Sequence, residues 1–334
     1  MAIELMNENN SNDNILEVRN LKKYYPLSKI TIGNRRAYVK AVDDVSFSIK
    51  TGTTMGLVGE SSCGKTTVGR TILRLHDVTS GQVIFDGHDL SKVSSRELRK
   101  MRPEMQMIFQ DPYSSLSPRL PIGEIIGEAV REHNIVPKSQ YRPYILKVMK
   151  DCGLQPQYFY RYPHEFSGGQ RQRISIARAV ALKPKFIICD EPLSALDVSI
   201  QAQIINLMKD LQEQYQYTYL FISHDLSVVE YLSDTIGVMY LGSMVEIGDK
   251  KKIFANPMHP YTKALLSAVP KSNPDEKMNR IILEGDIPSP VNPPSGCKFR
   301  TRCPNAMPIC AEKAPILKEY DDGHKTACHL YSQD

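Results

Sequence analysis

The chain has 334 residues, of which 41% are hydrophobic and 24% charged, so it can form a full α/β domain with an appended unit and has the composition of a globular protein. Its net charge of +5 comes from 42 basic residues interspersed with 37 acidic ones, which argues against a nucleic-acid-binding surface, and we expect no nucleic-acid partner. No apolar run reaches the roughly 18 residues that a membrane-spanning helix needs.

The first residues, MAIELMNENNSNDN, are polar and lack the basic start and apolar middle of a secretory signal. We therefore expect a cytosolic protein in which residues 1–13 form a flexible tail. The segments LEVRNL and VDDVSFSI follow, and their alternation of apolar and polar residues is typical of half-buried strands in an antiparallel sheet.

The stretch GESSCGKTT lies between TMGLVG, a predicted strand, and TTVGRTILRL, which has helical spacing. Two glycines separated by four residues and followed by lysine and threonine form the P-loop pattern. In such a loop, backbone N–H groups surround the phosphates, the lysine contacts the terminal phosphates and the hydroxyl binds magnesium. The candidate nucleotide ligands of this loop are Gly59, Glu60, Ser61, Ser62, Cys63, Gly64, Lys65, Thr66 and Thr67, with Thr66 also a magnesium ligand.

Two further predicted strands end in ionisable residues. FIIC, residues Phe186–Cys189, leads directly into Asp190 and Glu191, and YLFIS leads into His224. Because ligands of doubly wound sheets bind at the carboxyl ends of parallel strands, these side chains are expected near one magnesium ion and one phosphate. Asp190 would hold the metal, directly or through water, and Glu191 would act as the general base that polarises the attacking water.

The stretch FSGGQRQRISIARAV begins at Phe166 and contains a second candidate phosphate site. Ser167 is a good helix N-cap, Gly168 and Gly169 leave backbone N–H groups open, and the helix from Gln170 directs its positive end toward an anion. Together with GESSCGKTT, FIICDEP, SALD and His224, this stretch resembles the nucleotide-binding subunits of ABC transporters, in motif order and separation, over nearly the whole chain.

The resemblance implies an α/β fold of the P-loop NTPase (RecA-like) class, with an antiparallel β subdomain, a helical subdomain and a small extension rich in proline and cysteine. The cassette would span residues 14–250, its helical subdomain about residues 111–166, and the extension residues 251–334. The resemblance also implies that two cassettes pair head to tail, so that the segment Ser167–Gln170 would contact ATP bound at the partner's P-loop.

Further roles are implied by position in the family's motifs. Gln110, in IFQDPYSSL, is similar to the glutamine that contacts magnesium and the attacking water beside the membrane subunits. Asp197, in SALD, resembles the acid that communicates across the dimer, and His224 resembles the histidine at the γ-phosphate. Tyr25, in LKKYYP, is expected to stack on adenine, with Tyr24 as the alternative.

A narrower resemblance to dipeptide and oligopeptide importer ATPases rests on NPMHPYTKALLSAVP and GDIPSPVNPPSGCKFRTRCP. It implies ATP hydrolysis that drives uptake, two transmembrane permeases, an extracytoplasmic peptide-binding protein, a second ATPase subunit that is a paralogue in close relatives, and a peripheral position on the cytoplasmic face of the membrane. Nickel importers and some sugar importers use similar subunits, so the cargo stays open, and import itself is implied by the family alone.

Seven cysteines divide into two groups. Cys63, Cys152 and Cys189 are expected to be small packing residues. The other four lie near the end, and in a reducing cytosol such a cluster favours metal over disulfides; they are Cys297, Cys303, Cys310 and Cys328. Their resemblance to the tail of peptide-importer ATPases implies a [4Fe-4S] cluster, with zinc or free thiols as alternatives.

Two rival functions share parts of this sequence pattern. A soluble ABC ATPase acting on ribosomes or DNA usually carries two cassettes or a long coiled-coil insertion, whereas this chain has one SGGQ signature and no sustained heptads. A redox sensor would use the cysteine cluster to regulate transport, but no sequence feature requires it.

Overall fold

A computed structural model describes residues 13–32, 35–269 and 279–331, with side-chain detail absent for residues 28–36. Almost all of the expected N-terminal tail therefore lies outside the described residues. In the described part of the chain, no helix combines the length and the apolar character needed to span a membrane.

The described strands form two sheets. Their bounds are β1 Asn14–Ile32, β2 Arg35–Lys50, β3 Thr54–Val58, β4 Ser80–Phe85, β5 His88–Asp89, β6 Met105–Ile108, β7 Phe186–Asp190, β8 Thr218–Ile222, β9 Thr235–Tyr240, β10 Ser243–Asp249, β11 Lys318–Asp321 and β12 His324–Thr326. The smaller sheet has the order β2-β1-β4-β5 and is antiparallel, as the alternating sequence pattern predicts.

The larger sheet has the order β11-β12-β10-β9-β3-β8-β7-β6. Strands β9, β3, β8, β7 and β6 run parallel, while β10, β12 and β11 add antiparallel pairs at one side. Every residue of β3, β7 and β8 is buried, which explains their nearly continuous apolar sequences, because helices and loops cover both faces of a parallel sheet.

The described α-helices are α1 Lys65–Ile72, α2 Ser95–Met101, α3 Pro112–Ser115, α4 Ile122–Glu132, α5 Tyr141–Asp151, α6 Gly168–Val180, α7 Val198–Tyr215, α8 Leu226–Leu232, α9 Lys250–Ala255, α10 Pro260–Ser267 and α11 Ile309–Glu312. The range expected for the helical subdomain contains α3, α4 and α5 with three 3₁₀ turns. Side chains of α4, α5 and α6 share one core with the centre of the large sheet.

The C-terminal extension is not a separate layer. Its strand β12 pairs with β10 through Glu246 opposite Thr326 and Ile247 opposite Lys325. A buried network reinforces this junction, since the Glu246 carboxylate accepts hydrogen bonds from the backbone N–H of His259 at 2.8 Å and lies 2.7 Å from Nε2 of His324. The extension therefore continues the sheet that carries the phosphate loop.

Candidate functional site

The phosphate loop connects the carboxyl end of β3 to the start of α1. Gly64 caps the helix with a left-handed φ of 107°, and a Cβ there would lie 2.2 Å from the carbonyl oxygen of Ala41. Gly59, with φ of 150°, approaches the carbonyl of Met239 as closely. No side chain larger than hydrogen fits at either position, which is why the loop needs these two glycines.

Lys65 lies inside the loop and is only 4% exposed. Its Nζ donates to the carbonyl oxygens of Gly59, at 2.7 Å, and Glu60, at 3.1 Å. The loop backbone thus satisfies a buried ammonium group that, in the sequence-based hypothesis, contacts the terminal phosphates.

Thr66 and Asp190 meet at the base of the loop. The Thr66 hydroxyl donates to Oδ1 of Asp190 at 2.7 Å. Burial raises the pKa of the Asp190 carboxyl, and the hydrogen bond from Thr66 opposes that change. Oδ2 of Asp190 is buried and has no hydrogen-bond partner among the described residues. The Thr66 hydroxyl and an unsatisfied carboxylate oxygen of Asp190 therefore lie close together. This donor set fits magnesium, which binds oxygen ligands.

Two predicted residues converge on a carboxylate oxygen of a third. Nε2 of Gln110 donates to Oε2 of Glu191 at 2.9 Å, and Nδ1 of His224 lies 3.4 Å from the same oxygen. Glu191 has a left-handed φ of 46° and its backbone N–H donates to the carbonyl of Ile222 in β8 at 3.0 Å. The ends of β6, β7 and β8 therefore bring amide, carboxylate and imidazole together.

A cleft of ≈300 Å³ opens beside the loop. The lining comes from the phosphate loop and α1, Glu191, strand β2, the turn between β9 and β10, and the extension: Val39, Lys40, Ala41, Ser62, Gly64, Lys65, Thr66, Thr67, Glu191, Leu241, Gly242 and Pro290. Its size and its mixture of polar loop atoms and apolar side chains suit a nucleotide-sized ligand.

The two candidate adenine-stacking tyrosines have different surroundings. Burial raises the pKa of the Tyr25 phenol, while a hydrogen bond with the Thr67 side chain lowers it, so Tyr25 lies beside the phosphate loop. The hydroxyl of Tyr24 instead hydrogen-bonds to the Asp43 carboxylate. Neither ring lines the cleft just described, and the stacking role of Tyr25 stays a prediction.

The SGGQ segment begins α6 with a capping box. The Gln170 N–H donates to the Ser167 hydroxyl at 3.4 Å, and the Ser167 N–H donates to the Gln170 side chain at 3.1 Å. Ser167 and Gly168 are exposed, whereas a Cβ on Gly169 would lie 2.4 Å from Cγ2 of Ile200.

The structure does not bring the SGGQ segment to the phosphate loop of the same chain, since none of its residues lines the cleft. Asp197 is likewise exposed, immediately before α7. Ser167, Gly168 and Asp197 therefore lie on the surface of the chain.

The cysteines behave as two groups. Cys63, Cys152 and Cys189 are buried, as expected for packing residues. In the extension, the Cys297 N–H donates to the Cys310 carbonyl at 2.8 Å. The pKa of the Cys328 thiol is raised to about 11, chiefly by burial and further by the other three thiols of the extension, those of Cys297, Cys303 and Cys310.

These thiols are neighbours, yet the arrangement does not match a metal site. Among the residues that the structure describes, no group of three or more His, Cys, Asp or Glu side chains is placed to hold a metal ion. The predicted [4Fe-4S] cluster therefore has no support in the side-chain geometry.

Sequence reasoning missed contacts from the extension to the phosphate loop and to β2. The Glu60 carboxylate pairs with Arg302, and the Glu60 N–H donates to the hydroxyl of Tyr261. The backbone N–H of Lys40 donates to the carbonyl of Pro290 at 3.1 Å. These partners are far apart in the chain, and no local pattern relates them.

Comparison with known proteins identifies the family. Residues 42–194 match the ABC transporter family model, and residues 245–310 match that of the oligopeptide/dipeptide transporter C-terminal region. The dimeric post-hydrolysis structure of the ATP-binding cassette MJ0796 bound to ADP and Pi is similar with a TM-score of 0.62 and 27% identity, over 70% of this chain and 98% of that one. The expected fold class is thereby confirmed.

The similarity to relatives extends over nearly the whole length of the chain. The oligopeptide transport ATP-binding protein AppF of Bacillus subtilis is 54% identical over 96% of this chain and 98% of its own. A putative peptide import ATP-binding protein of Brucella ovis, BOV_A0347, is 53% identical over 94% of this chain and 97% of its own. The chain belongs to the ATP-binding proteins of oligopeptide and dipeptide ABC transporters.

Proposed function

We propose that this ATPase hydrolyses ATP in the cleft beside the phosphate loop and that Glu191 is the general base. The observation that carries the proposal is the meeting of Gln110 and His224 on Oε2 of Glu191, next to the hydrogen-bonded pair of Thr66 and Asp190. A carboxylate oxygen that accepts from an amide N–H and lies beside an imidazole can orient a water molecule for in-line attack on a phosphoryl group.

The other residues of the loop bind and neutralise the triphosphate. Lys65 would exchange its carbonyl partners for phosphate oxygens, because its ammonium group is already held within the loop. Thr66, Asp190 and Gln110 would hold Mg²⁺, which neutralises phosphate charge when bound. His224 is half exposed at 55% and lies at the open side of Glu191, where it would contact the γ-phosphate.

The active unit would be a head-to-tail pair of cassettes. The exposed start of α6 offers backbone N–H groups and the positive end of a helix dipole, which favour an anion. In the pair, Ser167, Gly168, Gly169 and Gln170 would bind the γ-phosphate held by the other subunit, and Asp197 would contact that subunit. The similar MJ0796 cassette is itself dimeric in its post-hydrolysis state. The partner would be a paralogue or a second copy of this chain.

At the level of the cell, the chain would be the motor subunit of a peptide importer. It would bind two transmembrane permeases at the cytoplasmic face of the membrane as a peripheral protein, with an extracytoplasmic peptide-binding protein delivering the cargo. The support is the similarity to relatives named as oligopeptide transport and peptide import ATP-binding proteins. Nickel or another small solute is the alternative cargo.

The experiment that tests this function is ATP hydrolysis by the membrane complex purified through this chain. The binding protein would be supplied empty, loaded with short peptides or loaded with chelated nickel. Stimulation by the peptide-loaded form, and its absence with Glu191→Gln, supports a peptide importer. Stimulation by the nickel-loaded form alone would identify nickel, and not peptide, as the cargo. Absence of co-purifying permeases would refute the transporter function.

The cysteine cluster is a separate proposal. Four neighbouring thiols are the ligand set of a [4Fe-4S] cluster, although they would have to rearrange to hold one. Iron, acid-labile sulfide and zinc measured in anaerobically purified protein would decide between the metals. About four irons per chain, lost in Cys303→Ser, supports iron–sulfur, whereas protein that contains neither iron nor zinc refutes both metals.

A further inference from the structure

We infer that Arg302 and Tyr261 of the C-terminal extension are positioning residues for the phosphate loop, and that through Glu60 they set the affinity of the site for ATP. The inference rests on the ATP site proposed above and adds two residues that lie outside its motifs. Both contact the second residue of the loop, and neither lines the cleft.

The first contact is a bidentate ion pair. Nη1 of Arg302 lies 2.8 Å from Oε2 of Glu60, and Nη2 lies 3.1 Å from Oε1. The side chains are 8% and 25% exposed, respectively, so solvent screens the pair weakly. Two parallel hydrogen bonds between planar groups fix orientation as well as distance.

The second contact fixes the backbone. The Glu60 N–H donates to the hydroxyl of Tyr261 at 2.8 Å, and Tyr261 is fully buried. Its ring packs against Tyr240 and Phe299, with centroid distances of 4.9 and 5.4 Å. Because these rings are held in the core, the hydroxyl is a fixed acceptor for the Glu60 N–H.

These contacts bear directly on the catalytic lysine. The carbonyl of Glu60 accepts a hydrogen bond from Nζ of Lys65 at 3.1 Å. The extension therefore holds Glu60 through two groups, its carboxylate and its backbone N–H. The third group, its carbonyl, orients Lys65 inside the loop. A change in the orientation of Glu60 would displace the ammonium group that binds phosphate, and ATP binding would then carry the entropic cost of ordering the loop.

Further contacts connect the extension to residues around the nucleotide cleft. Lys298 lies four residues before Arg302, and its Nζ contacts Oδ2 of Asp43 at 2.9 Å and the Leu241 carbonyl at 3.1 Å. Pro290 lines the cleft itself and accepts the N–H of Lys40. The extension therefore contributes Pro290 to the wall of the cleft and contacts Leu241, another residue of that wall, so a segment outside the P-loop motif is placed to affect ATP binding.

The test measures ATP affinity of the full chain with a fluorescent ATP analogue, and KM and kcat of the purified transporter. Arg302→Ala should raise the Kd about tenfold or more, and Tyr261→Phe, which deletes only the hydroxyl, about threefold, with kcat at saturating ATP changed less than about twofold. Arg302→Lys keeps the charge without the fork and should give an intermediate Kd. Arg99→Ala, which breaks an exposed pair with Glu132, is the matched control and should leave the Kd unchanged.

A purely structural role would lower stability without this selective change in KM and Kd. If Arg302→Ala fails to fold, Tyr261→Phe and Arg302→Lys decide the question. Wild-type Kd and KM in folded variants would overturn the inference, and so would an equal effect of Arg99→Ala. Failure of the wild-type chain to bind ATP would instead refute the proposed ATP site, so the two failures are distinguishable.

Discussion

Replacing Glu191 by glutamine tests the proposed chemistry with the smallest structural change. The two side chains have nearly the same shape, and the new amide oxygen can still accept from Nε2 of Gln110, which lies 2.9 Å from the present carboxylate. The side chain is 15% exposed and one charge is removed without a cavity, so the free energy of unfolding should change by less than about 1 kcal/mol. The substitution removes the basic carboxylate oxygen of Glu191.

The expected loss follows from that difference. General-base catalysis contributes about 10²–10⁴-fold, so the single-turnover rate should fall by that factor, or about 3–5 kcal/mol in activation free energy. The Kd for ATP should stay the same or decrease, because a negative charge has been removed near the triphosphate. Phosphate release from bound radiolabelled ATP measures the first quantity and filter binding the second. Glu132→Gln, at a residue 60% exposed, is the control; a wild-type rate in Glu191→Gln, or a loss of ATP binding, would refute the reasoning.

Three other substitutions test separate parts of the structure. Lys65→Ala should weaken ATP binding itself, so an unchanged Kd in equilibrium binding would contradict the phosphate assignment. Gly169→Ala should lower the free energy of unfolding by about 1–3 kcal/mol, because its Cβ would lie 2.4 Å from Ile200; in urea titrations Gly168→Ala, whose Cβ has its nearest neighbour at 3.6 Å, should stay within about 1 kcal/mol of wild type. Burial lowers the pKa of His259 to about 4 from 6.5, so its contribution to stability is present above pH 6.5 and is lost as the pH falls toward 4, on the order of 3 kcal/mol in all. His259→Asn should make the free energy of unfolding depend less steeply on pH between 4 and 6.5. An unchanged slope would refute the lowered pKa of His259.

The sequence predicts that Asp190, Glu191 and His224 lie at one edge of the sheet, because the information is local. Each strand that leads to the site is a short apolar run. Asp190 ends β7 and Glu191 follows it, while His224 lies two residues beyond the end of β8. Parallel strands place their carboxyl ends on one edge, so proximity follows from order. The convergence of Gln110 and His224 on one oxygen of Glu191 cannot be predicted from strand order, because it depends on side-chain rotamers and on the left-handed φ of Glu191.

The contacts of the extension were beyond prediction for a different reason. Glu60 meets Tyr261 and Arg302 across 201 and 242 residues, and neither partner has a pattern that indicates a long-range contact. An arginine next to a cysteine, such as Arg302 before Cys303, is more readily interpreted as part of a metal-binding segment. Only the tertiary structure shows that its guanidinium faces the phosphate loop.

The extension and the cassette should therefore unfold together. Strand β12 occupies a place in the main sheet, and the Glu246 carboxylate is fully buried at that junction, where His324 and backbone N–H groups satisfy it. Removal of the extension would take these partners from the Glu246 carboxylate and the pairing strand from β10, which lowers stability, and would also free Glu60 in the phosphate loop. A truncated cassette would consequently lose stability and ATP affinity for two distinct reasons, so point variants of Arg302 and Tyr261 are required to separate the positioning of the loop from the folding of the sheet.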